Sequence, residues 1–217
     1  MTFRAKLIYA DFPWNFKGRN NRDDIAERHY PTMPIADLHR LGKSVRNVAD
    51  THCHVLLWGT DAHTQQLFTL AEHWGLEYKT KFLCWAKPTK EYAAAWFTQA
   101  MSPHVWVMGR GFSTRSNPED LWMFSWGKPT LLPDRPKNIS RLLVHQLGEH
   151  GEKPAIVYRY IEQMFNGPRL ELFSRQYRKG WETLGNDLSG NDITHDLLIL
   201  KEGGAGSVPR KRAIFDE

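Results

Sequence analysis

The run His54-Val-Leu-Leu-Trp58 is apolar at every position after the first, and that lack of alternation does most to limit the fold. A strand with one wet face alternates apolar and polar residues, whereas one that is apolar throughout must be covered on both faces. Further strand-like runs, some with a polar residue, recur at residues 6–11, Phe82-Leu-Cys-Trp85, Asp120-Leu-Trp-Met-Phe-Ser-Trp126 and Arg169-Leu-Glu-Leu-Phe173, the last followed by Trp181-Glu-Thr-Leu184. Between them lie stripes at helical spacing. Ile35, Leu38 and Leu41 follow Pro34 and stop at Gly42; Leu67, Phe68, Ala71 and Trp74 follow Asp61 as a cap and end at Gly75. Ile156, Val157, Tyr160, Ile161 and Met164 follow Pro154 and stop at Gly167-Pro168. Strands alternating with helices predict an α/β domain, a mostly parallel sheet with helices on both faces. Strand order does not follow from such a pattern.

The 217 residues suffice for one domain, expected over residues 1–200. A flexible basic tail is expected at 201–217, where Gly203-Gly-Ala-Gly206 precedes Pro209-Arg-Lys-Arg212. The net charge of +5 suits a polyanionic partner without requiring one. The two cysteines have no C-x-x-C spacing, and His52-Cys53-His54 enters an apolar strand with no second ligand pair, so no metal is expected. No apolar run approaches a membrane span and no signal pattern opens the chain, which predicts a cytoplasmic protein without membrane attachment.

The chemistry concentrates where the first strand ends, at Asp11-Phe12-Pro13-Trp14. A carboxylate at the carboxyl edge of a parallel sheet lies where such folds bind ligands. Pro13 fixes the exit of the chain, and Trp14 offers a π-face beside the acid, a pairing that suits a flat molecule with an exocyclic amine. The same letters also serve as ordinary turn chemistry, with Asp capping its own backbone. The polar loop from Asn15 to Tyr30 reads as a flap over the substrate, with Lys17, His29 and Tyr30 as candidate contacts. Arg110 and Arg115 are candidates for phosphates, each weighed against a solvated surface charge.

Several stretches together resemble the adenine-N6 methyltransferases typified by the catalytic subunit of the eukaryotic messenger-RNA methylating enzyme, a family with bacterial and phage members. Asp11-Phe12-Pro13-Trp14 looks like the family's D-P-P-W motif, and His29-Tyr-Pro-Thr-Met33 like the loop after it. Trp85-Ala-Lys-Pro88, Gly111-Phe-Ser-Thr-Arg-Ser-Asn117, Gly127-Lys-Pro129, Glu152-Lys-Pro154, Gly167 through Arg175, and Trp181 through Asn186 follow in the expected order.

The resemblance implies a Rossmann-like S-adenosylmethionine-dependent methyltransferase with permuted motif order, the catalytic strand first and much of the cofactor site near the C-terminus. Carried over by position, Asp11, Phe12, Pro13 and Trp14 are catalytic. Asp11 and Lys153 meet the methionyl end of S-adenosylmethionine; Leu172 and Arg175, helped by Gln176, line the ribose side; Asn186 and Asp187 bond the adenine; Phe173 is a further cofactor contact. Glu171 is either a cofactor ligand or half of a structural pair. The implied reaction is N6-methylation of adenine in nucleic acid, with the amine held by Asp11 and the Phe12 carbonyl; the compact chain favours DNA over RNA as substrate without deciding between them. The alternatives are a cytosine-N4 methyltransferase and a catalytically degenerate nucleic-acid-binding paralogue. Phe12 stands where the family has proline, which removes a φ restraint at that carbonyl.

Overall fold

The computed structural model describes residues 2–14, 32–89, 106–107, 114–148 and 152–210. A seven-stranded sheet organises them, in the order β5-β3-β4-β2-β1-β6-β7. The strands are β1 (Ala5–Asp11), β2 (Ala49–Thr60), β3 (Glu77–Ala86), β4 (Pro118–Trp126), β5 (Leu142–Val144), β6 (Arg169–Leu172) and β7 (Glu182–Leu184). β4 pairs antiparallel with both β2 and β3, while all other pairings are parallel. The fold is a Rossmann-like α/β domain.

The unbroken apolar runs follow from coverage of both faces. Ile8, Ala10, Val55 and Leu57 enter a core built with α1 (Ile35–Val48), α2 (Thr64–His73) and α5 (Ile193–Gly203). Their neighbours Leu7, Tyr9, Leu56 and Trp58 enter the opposite core, with Val157 and Ile161 of α3 (Ala155–Met164). Along a strand between two such cores each side chain meets one core or the other, which favours apolar residues at successive positions. The short helix α4 (Asn186–Ser189) follows β7.

Four local expectations are corrected. Gly42 does not stop the first helix, which runs on to Val48. It is instead the point where Trp74 of the α1–α2 contact lies so close that a Cβ would overlap its ring. Asp61 makes no cap bond; it opens a 3-10 turn, Asp61–His63, and accepts from Ser116 Oγ at 2.9 Å. β5 and α5 were not anticipated. The chain from 201 to 210 is not a free tail: α5 ends at Gly203, Gly206 N–H donates to Glu182 at 3.0 Å, Val208 is buried, and the Arg210 guanidinium lies 4.6 Å from the Tyr177 ring. Residues 211–217 lie outside the described residues. Gly75, as expected, ends α2 with a positive φ, and Leu76 N–H closes the turn onto Ala71 O.

Candidate active site

β1, β2 and β6 run parallel, so Asp11, Thr60 and the residues after Leu172 emerge at one edge of the sheet. β4 runs the other way, which brings its start to that same edge: Glu119 pairs with Thr60 and with Trp85. A cavity of about 850 Å³ opens there, within the range of small-molecule sites. Asp11, Phe12, Pro13, Trp14, Lys153, Glu171, Leu172, Phe173, Arg175, Gln176, Asn186 and Asp187 all line it. Residues far apart in the sequence thus converge on one space, every catalytic and cofactor candidate among them.

Asp11 is not tied into its own turn. Its carboxylate accepts from Lys153 Nζ at 2.5 Å, and Lys153 also reaches Glu119 at 3.3 Å. Lys87 Nζ donates to the other oxygen of Glu119 at 2.8 Å. Two acids and two bases therefore alternate along the wall, with Lys153 seated 5.5 Å from the Trp58 ring centroid. Burial pulls the Lys153 ammonium down, but the two carboxylates outweigh it and hold its pKa above the ordinary value. Burial pushes Glu119 up, and Lys153 with Lys87 more than reverses this, leaving it below the usual range. Asp11 is raised: burial exceeds the pull of Lys153, and Glu119 adds repulsion. Sharing one cation between two acids, with a second cation for Glu119 alone, leaves Asp11 the less compensated.

The Phe12 carbonyl accepts from Trp14 N–H at 2.9 Å, and a carbonyl oxygen keeps a second lone pair for another donor. The missing proline ring has a substitute. Phe12 is buried and meets Trp14, Trp74 and Phe173 edge-to-face at centroid distances of 5.2, 5.6 and 5.6 Å. Trp14 departs from the expected open platform. It is 6% exposed, with one ring face lying parallel to His63 at 5.2 Å, so it is a wall of the cavity and not a projecting face.

On the neighbouring strand β6, Glu171 Oε1 accepts from Tyr158 OH at 2.7 Å. Its Oε2 is buried without a hydrogen-bond partner among the described residues, and the nearest cation, Arg178 Nε, is 4.0 Å away. Burial lifts this carboxyl to about 6, against the lowering effect of the Tyr158 bond. Phe173 next to it has φ 62°, a left-handed backbone that costs a non-glycine residue roughly 1–3 kcal/mol. Gly185 is required by close approach: a Cβ there would meet the Ser174 carbonyl oxygen at 2.0 Å.

Lys17, His29, Tyr30 and Arg110 lie outside the described residues. Arg115 is exposed and lies outside the lining of the cavity. Sequence reasoning missed Glu119, Lys87, Tyr9, Tyr158 and Arg178, all on the wall. Lys87 stood in a stretch carrying the resemblance, but nothing in the sequence marks Glu119, whose place depends on the direction of β4.

The cavity fits a zwitterionic, cationic cofactor. Lys153 has three protons and two carboxylate partners, which leaves one donor for a third carboxylate, and Glu171 Oε2 is an acceptor awaiting a donor. Among the described residues no cluster of three or more His, Cys, Asp or Glu could hold a metal ion, and no helix is long and apolar enough to cross a membrane.

The family profile described as MT-A70 matches residues 5–187. Type II methyltransferase M.MunI of Mycoplasma sp is 30% identical over 209 residues, covering 88% of this chain and 80% of that protein.

Proposed function

Because this chain belongs to the MT-A70 family and is at that level a nucleic-acid methyltransferase, we propose that it methylates N6 of adenine in DNA with S-adenosylmethionine as donor. The observation that carries the reading is the Asp11 carboxylate on the cavity wall, 2.5 Å from Lys153, with the Phe12 carbonyl beside it in the chain. Lys153 is assigned to the methionyl carboxylate, Glu171 Oε2 with Leu172, Phe173, Arg175 and Gln176 to the middle of the cofactor, and Asn186 and Asp187 to its adenine. Bound there, S-adenosylmethionine supplies an electrophilic methyl group on a sulfonium.

The residues of the chain then have a limited task. An adenine amine inside a duplex is out of reach, so the base must leave the stack and enter the cavity. Its N6 lone pair is delocalised into the ring and is a weak nucleophile. Asp11 and the Phe12 carbonyl accept its two N–H bonds, which favours a pyramidal nitrogen and offsets the positive charge that develops on it. The acid must be ionised to do so. Lys153 keeps Asp11 from rising further, and the ring packing of Phe12 holds the carbonyl in place. Trp14, backed by His63, closes the side of the cavity.

The test is labelled S-adenosylmethionine with DNA and RNA oligonucleotides, followed by analysis of the modified nucleoside. N6-methyladenine in DNA is expected, and Asp11→Ala is expected to lower turnover by about a thousandfold or more while remaining folded. N4-methylcytosine as product, or near-normal turnover by Asp11→Ala, would sink the reading.

A further inference from the structure

The wall that carries Asn186 and Asp187 is braced from behind by residues beyond the family match, which ends at 187. α5 turns Ile193, Leu197 and Leu200 inward, and on the same stripe Asp196 is completely buried, at 0% exposure. Its two oxygens go to two donors, one at the end of α4 and one just past it. Ser189 Oγ donates to one at 2.6 Å, and Asn191 Nδ2 to the other at 2.9 Å. Ser189 Oγ also accepts from Asn191 N–H at 3.1 Å, and the Asn191 carbonyl receives the side-chain amide of Asn186 at 3.3 Å. From outside, Tyr177 OH donates to Leu188 O at 2.9 Å. A fully buried carboxylate bonded by neutral donors is a costly choice for a helix stripe that an apolar residue would pack. What the acid adds is geometry: it fixes residues 189–191 to α5, and through Asn191 it fixes Asn186 on the cavity wall.

We propose that Asp196 is a positioning residue for the cofactor, setting the affinity for its adenosine end without touching it. This rests on the assignment above of Asn186 and Asp187 to the adenine. Wild type, Asp196→Ala and Asp196→Asn are titrated with S-adenosylmethionine and with 5′-methylthioadenosine, which lacks the amino-acid end. Asp196→Ala is expected to raise Kd about tenfold for both ligands, the worth of one hydrogen bond. Asp196→Asn, which keeps one acceptor, falls between. Turnover at saturating cofactor and KM for the nucleic acid stay near wild type, because Asp11 and its neighbours are untouched. A merely less stable variant loses folded fraction and not the affinity of the molecules that remain folded. Unchanged Kd for both ligands, or a loss confined to S-adenosylmethionine, overturns the proposal. Where Asp196→Ala does not fold, Asn191→Ala, half-buried and one step nearer the wall, must show the same joint loss. Failure of the wild type to bind either ligand removes the assignment of Asn186 and Asp187 itself, and with it this inference.

Discussion

Asp11 and Glu171 are both raised by burial, and both line one cavity, yet their partners differ and so do the consequences. Folded Glu171 holds its proton to a higher pH than the unfolded chain does. Its contribution to stability is therefore fullest below the ordinary 4.5 and is lost as pH rises through about 6. Glu171→Gln keeps the acceptor for Tyr158, and is expected to stabilise the ligand-free protein by roughly 2 kcal/mol at pH 8 and by nothing near pH 4. Urea unfolding at the two pH values checks this. For Asp11 the readout is activity. Lys153→Met removes the cation that restrains its rise, so the acid limb of the kcat/KM profile should move to higher pH, beyond any fall in overall rate. At this scale Asp11 was readable from the apolar strand that ends in it, and Lys153 only through the resemblance carried by Glu152-Lys-Pro154. Glu119 was invisible, since an acid at the start of a strand says nothing about where that strand points. Trp14 was legible as part of the site but not as a wall, because the ring that covers it, His63, comes from another strand end.

Helices α1 and α2 show how a correct signal can be misread. Proline at the start of α1 and glycine after α2 punctuate as expected. Gly42 carries the same letter as Gly75 but answers to packing, with Trp74 anchored over it by an Nε1 bond to Leu38 O at 2.9 Å. A buried, hydrogen-bonded indole cannot swing aside. Gly42→Ala, which raises helix propensity, is therefore expected to destabilise the protein by about 1–3 kcal/mol, measured as a lower urea midpoint. The last helix was missed for a different reason. Leu198 and Ile199 fill positions between its buried residues, which blurs the period, and the glycines after it suggest that the fold has already ended. β5, three residues long, is too short to show any period at all.

As a whole, the molecule brings its first strand and its last quarter together around one cavity, so a ligand that touches both should bind the folded state alone. At a cofactor concentration a hundred times Kd the gain is roughly 2.7 kcal/mol. In a chain of this length that raises Tm by about 5–10 °C, which thermal scans with and without S-adenosylmethionine can check. The α/β class was readable because apolar strands and amphipathic stripes are local patterns. The order of the strands, and the reversed β4 that completes the ionic wall, depend on pairings between distant segments that no local pattern records.

The sheet is flanked by its two smallest members, Leu142–Val144 on one side and Glu182–Leu184 on the other. Rails this brief leave room for only a couple of ladder bonds with an incoming strand. The long apolar strands β1 and β2 lie inside with a partner on each side, and the part of β3 that runs past Leu142–Val144 carries Lys79 and Lys81. Loss of β7 uncovers only the four residues of β6, while loss of β5 leaves a margin of β3 guarded by those lysines, so clumping on warming should await collapse of the middle of the sheet.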